Sequence, residues 1–350
     1  MKRRSNSLNF WQGFQSISGF ALILLVLLYY SCTPVMALTI TDDMSSTVTI
    51  ESPPQRIISL SPSNTEILFA LGLGDRVVGV TEFCNYPAEA PGKPKVGGYS
   101  TVTIEKVIAL KPDLIVAAYG NGEELLANLR SFGYPVIAMH PKTLNNVLDD
   151  TWLIGQASGA EENATRLIGD LERRINTVEG RVSTVGERPT VAHVIWNDPI
   201  YVSGNGTFQD ELIRLAGGTN AFSGVEGWKN IGIEDFIQAD PDVLIVSTGI
   251  GMGAGEDAIA QFFINEPRFS HVTAIRDDRV FLIDTDTVDR SGPRIVDALE
   301  QFAEDIHPEL FGNEKPVATL TPGVQGPGFG TLIALVACAG AALVAMRKGR

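Results

Sequence analysis

The stretch that decides the fold is IEKVIALKPDLIV at residues 104–116, because it recurs as IEDFIQADPDVLIV at residues 233–246. In both copies a Glu follows the first Ile, and a Pro-Asp pair separates a short amphipathic segment from an apolar run. The amphipathic segment predicts a helix, and the apolar run predicts a buried β-strand. A helix–strand module that occurs twice at this separation predicts two lobes that are built alike.

Strand and helix patterns alternate around each copy of the module. Residues 56–60 have the pattern of a buried strand, and residues 65–71 that of a helix that Gly72 ends. Alternation with short loops predicts an α/β fold, with a central parallel sheet covered on both faces in each of two Rossmann-like lobes. We predict an N-terminal lobe at residues 52–143 and a C-terminal lobe at residues 187–311.

The segment between the two lobes, residues 144–186, has no strand pattern. Apolar residues recur there at helical spacing, and charged residues fill the other positions. We predict one long interlobe helix, which Gly155 or the Gly159-Ala160 pair can break or bend. Because a helix resists bending, the lobes should move little, and the ligand should meet a largely preformed cleft.

The N-terminal end has the layout of a cleavable signal peptide at residues 1–37, with Lys2, Arg3 and Arg4 before an apolar run. That run is short for a membrane span; an uncleaved anchor and a lipoprotein signal at Cys32 are the alternatives. The C-terminal end has a spacer rich in Pro, Gly and Thr at residues 312–328 and an apolar segment with a basic end at residues 329–350.

The C-terminal tail carries Pro-Gly-Phe at residues 327–329, directly before the apolar segment. In this order of features it resembles the archaeal PGF-CTERM sorting signal, in which the membrane segment is removed and replaced by a lipid. We therefore expect an exported protein that is anchored to the outer face of the cell membrane.

Composition and motifs exclude several classes of function. A net charge of −14 and a pI of about 4.8 argue against nucleic-acid binding. Cys84 is the single cysteine of the predicted lobes, so they contain no disulfide. The sequence has no Gly-x-Ser-x-Gly elbow, phosphate loop, His-Glu-x-x-His or Cys-x-x-Cys motif. We predict a monomeric binding protein without a catalytic or metal site, and an acid–base pair among the 41 acidic residues is the enzyme alternative.

Aromatic residues occur in the loops that follow the predicted strands, and ligands of doubly wound sheets lie beyond the carboxyl ends of the strands. These loops contain Phe83, Tyr86, Tyr99, Tyr119, Trp196, Tyr201 and Trp228, together with Asp286 and Arg290. Rings on both sides of a cleft suit a large, flat, partly apolar ligand. Arg290 either binds a polar group of the ligand or pairs with Asp286 or Asp289.

Glu105 and Glu234 stand at the start of equivalent predicted helices. The helix dipole favours a Glu at this position, which is enough to account for each residue taken alone. Their presence in both lobes also suggests that two matching acidic points bind Arg residues of a two-fold symmetric partner.

The stretch RIISLSPSNTEILFALG at residues 56–72 resembles the cobalamin and iron-siderophore class (class III) of substrate-binding proteins of ABC importers. Residues 80–87, 201–204 and 289–294 and the Glu105 module also resemble this class, so that the likeness covers residues 52–310. The resemblance implies two α/β lobes and a long linking helix. It also implies that Glu105 and Glu234 contact a permease dimer, which works with an ATPase.

Within this class, the cobalamin-binding branch is the most similar. The resemblance implies the ligand-binding residues Phe83, Tyr99, Tyr201, Trp228, Asp286 and Arg290. Phe83 and Tyr99 stand where that branch can carry Tyr and Trp, so hydrogen bonding and ring area differ there. We therefore expect capture of cobalamin or a related corrinoid, with no resident cofactor; a ferric siderophore or haem is the alternative ligand.

Overall fold

The computed structural model describes residues 37–249 and 258–312. The predicted signal peptide up to residue 36 and the predicted tail from residue 313 lie outside the described residues. In the two described ranges, no helix is both long enough and apolar enough to cross a membrane.

The secondary structure alternates between strands and helices, as the sequence predicts. The strands are β1 (Leu38–Thr41), β2 (Thr47–Ile50), β3 (Ile57–Ser59), β4 (Val77–Val80), β5 (Leu114–Ala118), β6 (Val136–Met139), β7 (Thr190–Asn197), β8 (Ile200–Ser203), β9 (Thr219–Asn220), β10 (Trp228–Ile231), β11 (Val243–Thr248) and β12 (Val280–Asp284). The helices are α1 (Pro62–Ala70), α2 (Ile104–Ala109), α3 (Glu123–Ser131), α4 (Leu144–Ser158), α5 (Glu161–Val182), α6 (Phe208–Leu215), α7 (Ile233–Ala239), α8 (Ala258–Asn265), α9 (Thr273–Arg276), α10 (Thr285–Val288), α11 (Ile295–Ile306) and α12 (Pro308–Phe311).

The N-terminal lobe contains a four-stranded parallel sheet in the order β4-β3-β5-β6. Residues of α1 and α4, such as Leu68 and Ile154, form the apolar core on one face of the sheet. Residues of α2 and α3, such as Val107 and Leu126, form the core on the other face. Because both faces are covered, every residue of β3 and β6 is buried, and all of these residues except Ser59 are apolar, as the sequence pattern predicts.

The repeated module has the same structure in both lobes, since α2 leads into β5 and α7 leads into β11. The Asp of each Pro-Asp pair accepts a hydrogen bond from a backbone N–H at the start of the neighbouring strand. Asp113 Oδ1 accepts from the N–H of Arg56 at 2.7 Å, and Asp242 Oδ2 accepts from the N–H of Thr190 at 2.8 Å. The repeat therefore preserves a contact that fixes the position of adjacent parallel strands.

The sheet of the C-terminal lobe is mixed, in the order β10-β8-β7-β11-β12, and β9 pairs with β7. Strands β7, β11 and β12 are parallel, as predicted, but β8 and β10 run antiparallel to their neighbours. Only Asp198 and Pro199 separate β7 from β8, and a connection of two residues permits a hairpin but not a parallel crossover. The prediction of a purely parallel sheet missed this hairpin.

The link between the lobes consists of two helices, α4 and α5. The break is at Gly159, whose φ of 67° caps α4 in a left-handed conformation. Leu144, at the start of α4, belongs to the core of the C-terminal lobe, and Ile154 belongs to that of the N-terminal lobe. Helix α5 then returns to the C-terminal lobe, where Val178 is buried. A pair of helices packed into both cores holds the lobes together more firmly than one helix.

A hairpin formed by β1 and β2 adds to the N-terminal lobe and brings Asp43 next to Asp150 of α4. The Asp150 side chain is buried, with 2% of the residue exposed. Burial, and then the charge and hydrogen bond of Asp43, raise the pKa of Asp150 to about 8, with a smaller contribution from Asp149. Asp150 is therefore mostly protonated at neutral pH and shares its proton with Asp43.

Because of this carboxyl pair, we expect the free energy of unfolding to fall as the pH rises from about 4 to 8. Between the ordinary Asp pKa of 3.8 and the folded value of about 8, the folded chain holds a proton that the unfolded chain has lost. The Asp150→Asn variant has no such proton, so its free energy of unfolding should exceed that of the wild type by ~4 kcal/mol more at pH 8 than at pH 4.5. Urea unfolding at the two pH values measures the difference. The control is Asp75→Asn, which removes an exposed carboxylate that does not contribute to the pKa of Asp150. Equal pH slopes for Asp150→Asn and wild type would contradict the assignment.

Candidate functional site in the interlobe cleft

One set of predicted site residues lies at the carboxyl ends of the N-terminal strands. The ring of Tyr99 packs against Gly120, where an added Cβ would come within 2.6 Å of Tyr99 Cε1. Asn121 Nδ2 donates a hydrogen bond to the Tyr99 carbonyl oxygen at 2.7 Å, which fixes this segment against the end of β5. Burial raises the pKa of the Tyr99 hydroxyl, so Tyr99 stays neutral.

Phe83 presents an exposed ring, 58% accessible, on the loop after β4. The next residue, Cys84, is buried and contacts the hydroxyls of Thr65 and Thr81, both at 3.1 Å. The loop is thus anchored by Cys84, while Phe83 and Asn85 on either side of it are exposed. Cys84 is buried and behaves as a small packing residue.

Tyr119 is also exposed at this edge, and its ring stacks on that of His140, with centroids 4.2 Å apart. Tyr119 follows β5 and His140 follows β6, so adjacent parallel strands bring the two rings together. The sequence analysis placed Tyr119 among the strand-end aromatics but missed His140, which is the residue directly after the strand pattern.

The second set of predicted residues lies on the C-terminal lobe. The rings of Tyr201 and Trp228 stack with centroids 5.8 Å apart and an angle of 19° between planes. They lie within the antiparallel neighbours β8 and β10, and not in loops after strands as the sequence predicted. Trp228 and His193 form an edge-to-face pair, with ring centroids 5.9 Å apart. Trp196 instead points to the β7–β8 turn, where its Nε1 donates to the carbonyl oxygen of Asp198 at 2.8 Å.

His193 is a supporting residue that the sequence analysis missed. It is fully buried in β7, its Nε2 lies 3.0 Å from Ser247 Oγ, and burial lowers its pKa to about 3. The imidazole is therefore neutral and serves as a rigid surface beneath Trp228. A single polar residue within the apolar run of β7 was the signal that could have drawn attention to it.

Asp286 and Arg290 connect the two lobes. They form an ion pair at 2.5 Å, and both bind the side-chain amide of Asn85. Asn85 Nδ2 donates to Asp286 Oδ2 at 2.6 Å, and Arg290 Nη1 donates to Asn85 Oδ1 at 2.7 Å. The sequence left Asp286 and Asp289 as possible partners of Arg290. In the structure Arg290 pairs with Asp286, while Asp289 accepts a hydrogen bond from Gln209.

A buried ion cluster lies beside these residues. Glu66 of α1, whose side chain is 2% exposed, accepts hydrogen bonds from Arg294 Nη2 at 2.7 Å and Arg294 Nε at 3.0 Å. Arg290 Nη1 also reaches Glu66, at 3.3 Å. The guanidinium of Arg294 lies over the Tyr86 ring, 4.2 Å from its centroid. One carboxylate of the N-terminal lobe thus contacts two arginines of the C-terminal lobe.

Gly292 leaves space for this cluster, because the Cβ of any other residue at this position would lie only 3.2 Å from Glu66 Oε2. This cluster could not be seen in the sequence alone. Glu66 and Arg294 fall within two of the stretches that carry the family resemblance, residues 56–72 and 289–294, but nothing in the sequence shows that these stretches meet.

Glu105 and Glu234 are exposed and lie in the first turn of α2 and α7, one in each lobe. Their equivalent placement is as predicted, and their role in docking stays a prediction. Across the described ranges, no group of three or more His, Cys, Asp or Glu residues could hold a metal ion.

Comparisons with known proteins agree with this architecture. The model of the family "Periplasmic binding protein" matches residues 57–287. The ABC transporter substrate-binding lipoprotein YvrC of Bacillus subtilis is 34% identical over 286 residues, which cover 80% of this chain and 88% of the relative. The vitamin B12-binding protein of Vibrio cholerae is 32% identical over 252 residues, with coverages of 71% and 88%.

A solved structure shares the same fold. The periplasmic haem-binding protein RhuT of Roseiflexus, in its apo form, has a TM-score of 0.65 and 29% identity, covering 73% of this chain and 99% of the other. Since a vitamin B12-binding and a haem-binding protein are similarly related to this chain, fold alone does not select the ligand. The chain belongs to the periplasmic binding protein family, and it is a substrate-binding protein of an ABC transporter, not an enzyme.

Proposed function

We propose that the protein captures cobalamin or a related corrinoid in the interlobe cleft and delivers it unchanged to a permease. The observation that carries this proposal is the pair of ring surfaces: Phe83 and Tyr99 on one lobe, Tyr201 and Trp228 on the other. A corrin is a broad macrocycle with an apolar face, and stacking on aromatic rings is favourable for such a surface.

The polar residues of the cleft favour a ligand without net negative charge. Arg290 and Arg294 carry two positive charges, and Glu66 and Asp286 carry two negative charges at contact distance. This balance leaves no excess positive charge to attract the carboxylates of haem, and the whole chain carries −14. The neutral carboxamides at the rim of a corrinoid can bind both members of the Asp286–Arg290 pair.

Ferric siderophores and haem remain the second candidate ligands, because a relative that binds haem shares the fold. Equilibrium binding of cyanocobalamin, haem and a ferric hydroxamate, followed by Trp fluorescence, separates these ligands. The proposal expects saturable binding of cyanocobalamin and much weaker binding of the other two. Tighter binding of haem would instead assign the protein to the haem carriers.

We further propose that the protein is exported and membrane-anchored, and that it docks on the permease through both lobes. The predicted signal peptide and sorting tail support the location, and the equivalent exposed positions of Glu105 and Glu234 support the docking. Two acidic points on matching lobes complement basic residues on a two-fold symmetric partner.

A change that disrupts docking should lower uptake of the ligand without changing the affinity of the protein for it. The double change Glu105→Lys and Glu234→Lys should lower corrinoid uptake by about tenfold, because each reversed charge would repel a basic partner residue. The dissociation constant of the ligand should not change, since neither residue is among those assigned to the ligand. The control is the same reversal at exposed Glu124 and Glu172 of α3 and α5. Unchanged uptake by the Glu105/Glu234 variant would refute the docking assignment.

A further inference from the structure

Asn85 occupies an unusual position for an exposed loop residue, because its side chain connects the lobes through two hydrogen bonds. Its NH₂ group donates to Asp286, and its carbonyl oxygen accepts from Arg290. Both partners belong to the proposed ligand site, and Arg290 also donates to the carbonyl oxygen of Phe83 at 3.4 Å. The loop that presents the Phe83 ring is thus tied to the opposite lobe through the same two residues.

The pattern of these bonds is specific for a primary carboxamide. Asp286 supplies an acceptor for the NH₂ group, and Arg290 supplies a donor for the carbonyl oxygen, while the ion pair between them holds both in place at 2.5 Å. A carboxylate in the position of the Asn85 amide would place an oxygen against Asp286. The Asp286–Arg290 pair therefore discriminates an amide from an acid.

We infer that Asn85 is an intramolecular competitor of the ligand, whose amide occupies the Asp286–Arg290 pair until a carboxamide of the ligand takes its place. This inference rests on the proposed function, because it assigns Asp286 and Arg290 to the ligand. When the Asn85 contact breaks, the buried Glu66–Arg294 contact still joins the lobes. Exchange at the pair therefore leaves the lobe arrangement intact and frees the Phe83 loop to adjust.

The arrangement predicts that removal of Asn85 improves binding. Any interaction that stabilises the protein before binding, and that the ligand must break, raises the apparent dissociation constant. Two partly exposed hydrogen bonds to charged groups account for a factor of about three to ten. We expect Asn85→Ala to lower the dissociation constant of cyanocobalamin by that factor and to lower the melting temperature slightly.

The experiment is a titration of four purified proteins with cyanocobalamin: wild type, Asn85→Ala, Arg290→Met and, as the control, Asn128→Ala. Asn128 is an exposed Asn on α3, away from the cleft, and its loss should change nothing. Arg290→Met should weaken binding. An unchanged or raised dissociation constant for Asn85→Ala would overturn the inference, and a raised one would make Asn85 a direct ligand contact.

A second ligand tests the specificity for an amide. In a cobalamin monocarboxylic acid, one peripheral carboxamide is hydrolysed to a carboxylate. The isomer whose carboxylate faces Asp286 should bind the wild-type protein several-fold more weakly than cobalamin does. In the Asp286→Ala variant, this isomer and cobalamin should bind equally well. Equal affinity for every isomer would contradict the assignment. If Arg290→Met also leaves cyanocobalamin affinity unchanged, the proposed site itself is wrong. If Arg290→Met weakens binding but Asn85→Ala does not tighten it, only the competitor role fails.

Discussion

Replacement of Glu66 by Gln is expected to lower the free energy of unfolding by about 3 kcal/mol. Glu66 is the carboxylate that both Arg290 and Arg294 contact, and its side chain is almost fully buried. Gln has the same shape but no charge, so Arg294 would keep a hydrogen bond and lose its counter-ion. An uncompensated buried charge costs far more than the pair contributes when it is intact. Urea unfolding at neutral pH measures the loss.

The matched control for this variant is Glu300→Gln. Arg174 Nε donates to Glu300 Oε1 at 2.9 Å and joins α5 to α11, but the Glu300 side chain is 40% exposed. Water replaces the partner of such a pair, so its removal should cost less than about 1 kcal/mol. Equal losses for the two variants would show that Glu66 is not a buried anchor of the lobes.

The second large effect is expected from Trp228→Ala, which should weaken corrinoid binding by about 100-fold, or roughly 3 kcal/mol. Trp228 stacks on Tyr201 and rests on the neutral His193, so its ring is held rigidly before the ligand arrives. A rigid ring gives contact area at little cost in conformational entropy. Trp228→Phe keeps a smaller ring and should lose about tenfold.

Trp152→Ala provides the control for this change. Trp152 is a second tryptophan, 38% exposed, on α4 and outside the proposed cleft. Its removal should leave corrinoid affinity within a factor of about two, because it makes no contact with the ligand surface. Isothermal titration measures both variants. A Trp228→Ala protein that binds as well as wild type would remove Trp228 from the site.

The repeated module was sufficient to predict the duplicated α/β lobes, because each copy carries its own helix pattern, turn and strand. The function of the Pro-Asp pair was not visible in the sequence. Asp113 and Asp242 bind the strands that lie beside them in the sheet, and such partners are known only when the strand order is known. The local sequence pattern thus predicted the helices and strands of the module, and the structure showed which strands lie next to each other.

Two features of the fold depended on short connections. The β7–β8 hairpin turns on Asp198 and Pro199, a dipeptide that favours a turn, and this signal between two apolar runs was not used to predict the hairpin. The chain reversal between α4 and α5 depends on Gly159, which the sequence analysis named as a possible break. An isolated glycine in a helical pattern is compatible either with one continuous helix or with the end of a helix. The pattern alone therefore does not show whether residues 144–186 form one helix or two.

The ring residues of the proposed site stay predictions, and the structure supports the pattern behind them only in part. Phe83 and Tyr99 lie in loops, as predicted, whereas Tyr201 and Trp228 lie within β8 and β10, so that the family resemblance alone accounts for these two. The Glu66–Arg294 contact joins residues that are far apart in the chain and belong to different lobes. Sequence spacing contains no information on how two lobes face each other, so this contact could be found only in three dimensions.

We expect rings from both lobes to hold one corrinoid between them, and a crystal structure of the protein with cyanocobalamin would show this arrangement. The corrin should lie between Phe83 and Tyr99 on one side and Tyr201 and Trp228 on the other, with a carboxamide on the Asp286–Arg290 pair. Density for the ligand on an outer surface, or in contact with the rings of one lobe only, would contradict it.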